Sequence, residues 1–457
     1  MRQLLVIGLL FLVAPMADAA TWTVQPDGNG DVPTIWEAML AASDGDEIVL
    51  GDGVFTGEGN RDFIFFRSVT LRSASGSAAR CVIDCEGSPG APHRAFTLQD
   101  FDDWARVKSL TIRNGYAGGA GSEGPFGGAV RCKQGAAVHF DHCRFENCHA
   151  ETAGGAVSAD HAGELKFRDC VFAGNSSDDF AAAVHGMSTT CLLLGCTLTG
   201  NVGGAGQAHI VALAGTSRPW PQRVVDCTFR GNTGGALWVE GGGLEMSGTV
   251  FEGDPRAGVV VSSTVGQPVV VEDCAIHDVE DASPLSLSSD TPAGQPYAEL
   301  VVSRCVLANN AGGDRTLILR GAAAHVSDVT LWGNGAFYAL GLMGNSSSMR
   351  AVVERVIVAD PSGQQSALYS TPSSTLSLRC SNFQHGWAGY AESWLGVGGN
   401  IDADPLFCDP AGGDFTLHAN SPCVAAVNGC GTMGALDVGC ELLAVEDASF
   451  GAVKALY

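Results

Sequence analysis

Between residues 124 and 232 the chain repeats itself. GGAV at 127–130 is followed by HFDHCRFENC at 139–148, and GGAV at 154–157 by KFRDCVFAGN at 166–175. AAAV at 181–184 precedes LLLGCTLTGN at 192–201, RVVDCTFRGN fills 223–232, and GGAL begins again at Gly234. Taking the Cys of C-x-F as a marker, the aligned positions are 143, 170, 196, 227, 249, 274, 305, 329 and 355. A period of roughly 26 residues restricts the chain to a stack of small units, each too short to bury its own apolar face.

Two residues beyond the marker stand Phe145, Phe172, Leu198, Phe229, Phe251, Ile276, Leu307, Leu331 and Ile357, all large and apolar. Positions two apart share one face of a strand, so marker and marker-plus-two face one interior. The marker is Cys in six cases, Thr249 and Val329 in two, and Arg355 in the ninth. Cys here is expected as a small buried hydrophobe. Just before the marker come Asp169, Asp226, Asp273, Asp328, Gly195 and Gly248, residue types that tolerate a left-handed bend between strands. Five residues past it come Asn175, Asn201, Asn232, Asn310 and Asn334, with Asp254 and Asp360. Asn side chains stacked at one turn can bond along the pile. With strands stacked about 4.8 Å apart, these features describe an all-β chain, a right-handed parallel β-helix.

The flanks have a different texture. Arg2, an apolar run over 4–13 and Ala17-Asp18-Ala19 read as a secretory signal peptide over 1–20, with no Cys after the run to carry a lipid anchor. Ile35, Ala38, Met39 and Ala42 follow Pro33 at helical spacing, predicting a short amphipathic helix within an N-terminal cap over 21–55. The coils are expected over 56–400, with polar, Gly-rich loops at 77–104 and 115–126. A C-terminal cap over 401–440 and a tail over 441–457 complete the division. Cys408, Cys423, Cys430 and Cys440 crowd that cap and are expected to pair among themselves, with three possible connectivities.

The run Asp27-Gly28-Asn29-Gly30-Asp31, with Thr34-Ile35 and Glu37-Ala38, is similar to the N-terminal cap of the pectin-lyase-like superfamily. The GGA[VL] and F-x-x-N elements resemble the repeats of chlamydial polymorphic outer-membrane proteins and of many secreted bacterial β-helix proteins. Together these resemblances span most of 21–440. In the lyases and hydrolases of that superfamily the substrate groove follows one sheet, which implies a site on the strands after GGA[VL]. The outward residues there are Arg131, Lys133, Asp160, His185, Trp238 and Glu240, a candidate ligand-binding strip; Ser158, Ser262, Ser286 and Arg320 share it. Trp offers a face to sugar rings, and the charged groups offer acid–base chemistry. No catalytic residue is assigned. Glycoside hydrolysis needs two carboxylates roughly 5–10 Å apart, whereas Asp160 and Glu240 stand three coils, about 14 Å, apart.

Short fragments elsewhere match enzyme motifs only in part. Asp62-Phe63-Ile64-Phe65 and Arg218-Pro219-Trp220 resemble pieces of pectinesterase motifs in the wrong order. His139, His142, Cys143, Cys148 and His149 have zinc-ligand identities, but the inward Cys143 and outward His139 cannot share an ion. No metal or cofactor is expected beyond weak Ca2+ binding at Asp44, Asp46 or Asp52. Lys and Arg total 25 against 49 Asp and Glu, a net charge of −24 that disfavours nucleic acid and anionic membranes. The same charge weighs against a polyanionic polysaccharide.

These features describe a secreted or surface-displayed rod without a transmembrane helix, used for adhesion or carbohydrate binding, with a polysaccharide or cell-surface glycan as partner. A polysaccharide lyase or glycoside hydrolase is the first alternative, and a purely structural envelope component the second. The register itself is testable. Phe172→Asp places a charge in a dry interior and should cost about 3 kcal/mol or more. An unchanged melting temperature would put the register one residue out, since a slip of one reverses every face.

Overall fold

The computed structural model describes residues 19–441 except 100–103, 120–123, 205–208, 216–220, 254–257, 265, 281–282, 290–297, 345–348, 361–365 and 372–373. The signal-peptide reading and the tail therefore fall outside the described residues, apart from their last two residues and first residue respectively; Arg218, Trp220 and Asp254 also fall outside.

Each coil contributes one strand to each of three long sheets. In the coil that starts at Glu164, the strands are Glu164–Arg168, Val171–Ala173 and Val184–Met187. The first sheet has fourteen strands, from Thr21–Val24 to Thr375–Arg379. The second has thirteen, from Gly53–Phe55 to Asn382–Gln384, and the third twelve, from Phe63–Phe65 to Ser366–Ser370. Neighbouring strands in all three are parallel, and equivalent repeat positions stack: Arg144↔Val171↔Thr197 and Val157↔Val184↔Val211. The fold is the right-handed parallel β-helix expected from the repeat.

The corner between the first and second sheets is one residue in the left-handed region. Asp169, Gly195, Asp226, Gly248, Asp273 and Asp328 all have φ between 52° and 65°. His142, Arg304 and Arg355 take the same conformation at φ 53°, 51° and 54°. The last of these corrects the register. Arg355 is a bend residue, so the inward pair of that coil is Val356 and Val358, with Val358 paired to Leu331. Ile357 faces outward instead. Arginine is tolerated in these bends because it ion-pairs with the bend residue below: Arg355 Nε to Asp328 Oδ1 at 2.6 Å, Arg304 Nε to Asp273 Oδ1 at 2.6 Å.

The interior is filled by columns of like side chains. Phe145 stacks on Phe172 at 5.0 Å, Phe140 on Phe167 at 5.2 Å and Phe229 on Phe251 at 4.7 Å. The marker cysteines are buried thiols, not disulfides. At the next turn Asn175 Nδ2 donates to Asn201 Oδ1 at 3.0 Å and Asn201 Nδ2 to Asn232 Oδ1 at 2.9 Å. The same amides donate to Phe145 O and Phe172 O, and each Oδ1 also accepts the backbone N–H of the Asn below. Asn310 and Asn334 form a second ladder of this kind. Buried amides must be satisfied, and a repeat of one coil per Asn satisfies them all.

The N-terminal helix runs over Ile35–Ala41, capped by Thr34, whose Oγ1 accepts from Glu37 N at 3.3 Å. Ile35, Ala38 and Met39 are buried in the main core, as the spacing predicts. Residues 77–104 are not a plain loop: they contain Cys81–Asp84 and Phe96–Leu98, full members of the second and third sheets. Near the other end, Trp387 stacks on Phe383 of the last coil at 4.6 Å. The segment after it folds back along the outer face of the second sheet. Leu417, Cys423 and Met433 bury Ile357 and Ala359, while Phe415 buries Val306 and Ala308. That is why Ile357, though outward, is apolar.

The disulfides are Cys380–Cys430 and Cys408–Cys440. Pairing within the four C-terminal cysteines is thus half corrected: Cys430 reaches back to Cys380, in the last left-handed bend, and Cys423 remains a buried thiol accepting from Asn382 Nδ2 at 3.2 Å. Burial pushes the thiols of Cys81, Cys132 and Cys148 up to about 12, which keeps them protonated and unreactive. Peptide mapping after alkylation of the unfolded, unreduced protein should find only Cys380, Cys408, Cys430 and Cys440 blocked. Finding Cys423 blocked, or Cys380 alkylated, would break this assignment.

Candidate functional site

The strands after GGA[VL] form the third sheet, and their outward residues fall in two columns. One runs Thr97, Arg131, Ser158, His185, Ala212, Trp238, Val260, Ser286. The next contains Asp160, Met187 and Ala214, then Glu240, Ser262, Ser288 and Arg320. Asp160 and Glu240 thus share a column three coils apart, about 14 Å. They do not form a glycosidase pair.

The strip is not a uniformly solvated face. Arg131 and His185 are only 9% and 6% exposed and Ser158 is fully buried, whereas Glu240 is exposed and Trp238 half-buried. Two phenylalanines cover them. Phe126 lies under the Arg131 guanidinium at 4.8 Å and stacks near the His185 ring at 6.5 Å. Phe180 meets His185 edge-on at 6.1 Å and Trp238 at 5.4 Å. Sequence reasoning missed both, although the signal was present: each stands directly before its motif, F-GGAV and F-AAAV, with Ala153 in the coil between. His209 adds a ring 6.1 Å from Trp238, lying where a side chain on Gly235 would collide.

Beneath this cover the polar groups are connected. Arg131 Nη1 donates to Ser158 Oγ at 2.7 Å, and Ser158 Oγ lies 3.1 Å from His185 Nδ1. The Ser158 hydroxyl thus joins the two side chains, accepting from the arginine and sharing one hydrogen bond with His185 Nδ1. Burial holds the His185 pKa down at about 4, with the Arg131 charge adding to the effect and Asp160 opposing it. The fully buried Ser158 is in no position to attack a substrate.

Beside this network the surface opens. Arg131, Lys133, Gln134, Asp160 and His161 line a depression of about 470 Å³. Arg131 Nη2 is 3.6 Å from Asp160 Oδ2, and His161 Nδ1 is 2.6 Å from Asp160 Oδ1. Of the six residues expected to bind ligand, the structure gathers Arg131, Lys133 and Asp160 at this opening, sets His185 behind it, and leaves Trp238 and Glu240 further along the sheet. Gln134 and His161, in the turns just past the strands, were not foreseen. A second depression of about 490 Å³ opens at the start of the sheet, between Trp36, Glu58, Arg61, Asp62, Ile64 and His93.

Donor sets for metals are sparse. Among the described residues, Cys408, His418 and Cys440 converge, but the two sulfurs are joined to each other. Asp46 accepts from Ala20 N and Ser43 N, Asp44 from Ser68 N and Asp52 from Ser75 Oγ. His139 lies against Trp104, with ring centres 4.3 Å apart and the planes tilted by 54°, and meets Glu164 at 3.2 Å, away from Cys143 in the core.

No family model and no curated protein sequence matches the chain. Solved structures do. An alginate lyase of family PL6, AlyGC, superposes with TM-score 0.50 at 11% identity, over 85% of this chain and 54% of that one. This chain therefore spans about half of that enzyme's length. Alginate lyase AlyF-OU02 gives 0.49 at 11% identity over 88% and 94% of the two chains, and pectate lyase Pel9A 0.37 at 14% over 93% and 98%. The likeness to AlyGC is one of fold: the pectin-lyase-like parallel β-helix.

The buried imidazole has a measurable consequence. In the unfolded chain a histidine takes up its proton near 6.5, whereas His185 in the fold does so only near 4. The unfolded state therefore binds more protons between these values, and stability falls as pH drops through that window, by on the order of 3 kcal/mol. Proton NMR should show the His185 ring neutral at pH 5. His185→Gln should flatten the melting-temperature profile between pH 6.5 and 4; an unchanged slope would show that the ring is solvated.

Proposed function

We propose that this protein is an extracytoplasmic polysaccharide-binding β-helix, with its ligand lying on the outer face of the third sheet. The depression between Arg131, Lys133, Asp160 and His161 carries this reading. It places two cations, a carboxylate and an imidazole around one opening, anchored from behind by Ser158 and His185. Trp238 and Glu240 extend the same face along the rod. Polar groups held by packing bind sugar hydroxyls without ordering cost, and an aromatic face takes the apolar side of a pyranose ring. The polysaccharide-active proteins that share the fold support the choice of ligand class. Adhesion to a surface glycan needs no more than this.

Catalysis at the same opening is the second reading. A lyase needs a base near a sugar carboxylate and a charge to neutralise that carboxylate, and Lys133, His161 and Arg131 supply groups of both kinds. A glycoside hydrolase acting through Asp160 and Glu240 is ruled out by their separation.

Glycan-array binding together with a depolymerisation screen separates the readings. A binding protein should retain at least one polysaccharide without releasing new chain ends. Lys133→Ala and Asp160→Asn should each weaken that binding about tenfold, the scale of one charge-assisted hydrogen bond. Trp238→Ala should weaken it with the melting curve unchanged. Chain cleavage by the wild type that Lys133→Ala abolishes would replace binding by catalysis. No binding to any glycan would sink both.

A further inference from the structure

A second built feature lies on the same sheet near its C-terminal end. Arg315 opens the strand Arg315–Arg320, and its side chain folds back across Gly341 of the next strand, where any Cβ would collide with it. The guanidinium carbon sits 4.6 Å from the ring centre of Tyr369 and 5.8 Å from that of Tyr338. The two tyrosine rings are 5.2 Å apart, and Phe337 meets Tyr338 edge-on at 4.8 Å while remaining 64% exposed. Three arginines of neighbouring coils are clamped by carboxylates: Arg304 by Asp273, Arg355 by Asp328 and Arg379 by Glu354. Arg315 is not. Its Nε is buried without a hydrogen-bond partner, and no carboxylate among the described residues forms an ion pair with it.

We propose that Arg315, Tyr338, Tyr369 and Phe337 form a platform that binds a carboxylate-bearing sugar residue of an oligouronide. The chemistry follows from the parts. A planar guanidinium grips a carboxylate through parallel hydrogen bonds, and here two rings hold the plane in place before the ligand arrives. Tyrosine faces accept the C–H side of a sugar ring, and Phe337 widens that surface. The net charge of −24 does not decide the matter, because screening over about 8 Å leaves local charge in control. Gly341 is needed because any larger residue would lift the arginine off the sheet. Eight coils separate Tyr369 from Ser158 in the same column, about 38 Å, so the platform is distinct from the Arg131 opening. Its ligand class rests on the polysaccharide reading above.

Titration calorimetry with trigalacturonate, and with the same trisaccharide after reduction of its carboxylates to alcohols, tests this. Wild-type protein should bind the uronide, more weakly as salt rises, and bind the reduced sugar at least about tenfold less well. Arg315→Gln should cause a loss of similar size, Tyr369→Ala should also weaken binding, and Arg315→Lys should fall between wild type and Arg315→Gln. Melting curves of these surface variants should match wild type. Equal affinity for the two trisaccharides, an unaffected Arg315→Gln variant, or no uronide binding by the wild type overturns the platform. Lys133→Ala separates the two sites. Binding lost there but kept in Arg315→Gln overturns the platform and leaves the opening at Arg131; the reverse pattern supports the platform as the uronide site.

Discussion

The coil-to-coil backbone ladder is the constraint on which everything else depends. A strand as short as Val171–Ala173 bonds only to the strands one coil above and below, so every coil must present the same shape as its neighbours. That demand produces the columns. A buried Asn201 is affordable only because Asn175 and Asn232 stand in register with it, donating and accepting along the stack. Phe172 is flat against Phe145 for the same reason. Even the left-handed corner is a column, and the arginines Arg304 and Arg355 enter it where the corner below is an aspartate.

The same periodicity gives the outer face its character. A parallel stack turns one position of the repeat into a line of side chains along the rod, so an aromatic ring or a cation is never far from a second one. On the third sheet this yields three distinct places: the depression at Trp36 and His93, the covered network at Arg131 and His185, and the arginine–tyrosine platform. They differ in burial. The middle one shields its polar groups under Phe126 and Phe180, which lowers the basicity of His185 and makes the arrangement rigid. The last leaves its cation and two tyrosine rings half-buried and Phe337 exposed. Rigid, partly dry polar groups favour selectivity, and open aromatic surface favours capture of an extended chain.

The ends obey different physics. A stack of coils leaves apolar surface and unpaired strand edges at both ends, and such edges invite association. At the start, the helix Ile35–Ala41 supplies the cover; near the finish Trp387 closes over Phe383. The C-terminal segment has little core of its own. It borrows one from Ile357, Ala359 and Val306 on the second sheet and is stapled there through Cys380–Cys430.

The sequence alone determined the coil, its inward columns, the asparagine ladder and the N-terminal helix, because each of these repeats or obeys a local period. Trp238, Asp160 and Glu240 were also placed on one outer face by alternation, and the distance between the two carboxylates followed from counting coils. What the period could not reach was any contact between unlike parts of the coil. Arg355 looked like a failed marker, since a left-handed arginine becomes affordable only when Asp328 lies beneath it. Cys430 looked like a partner for its sequence neighbours, since nothing local shows the chain returning to Cys380. Arg131 and His185 were placed only as outward residues, since the rings that bury them come from the turn before the strand. Alternation tells which way a side chain leaves the sheet. Only the tertiary structure decides what it meets there.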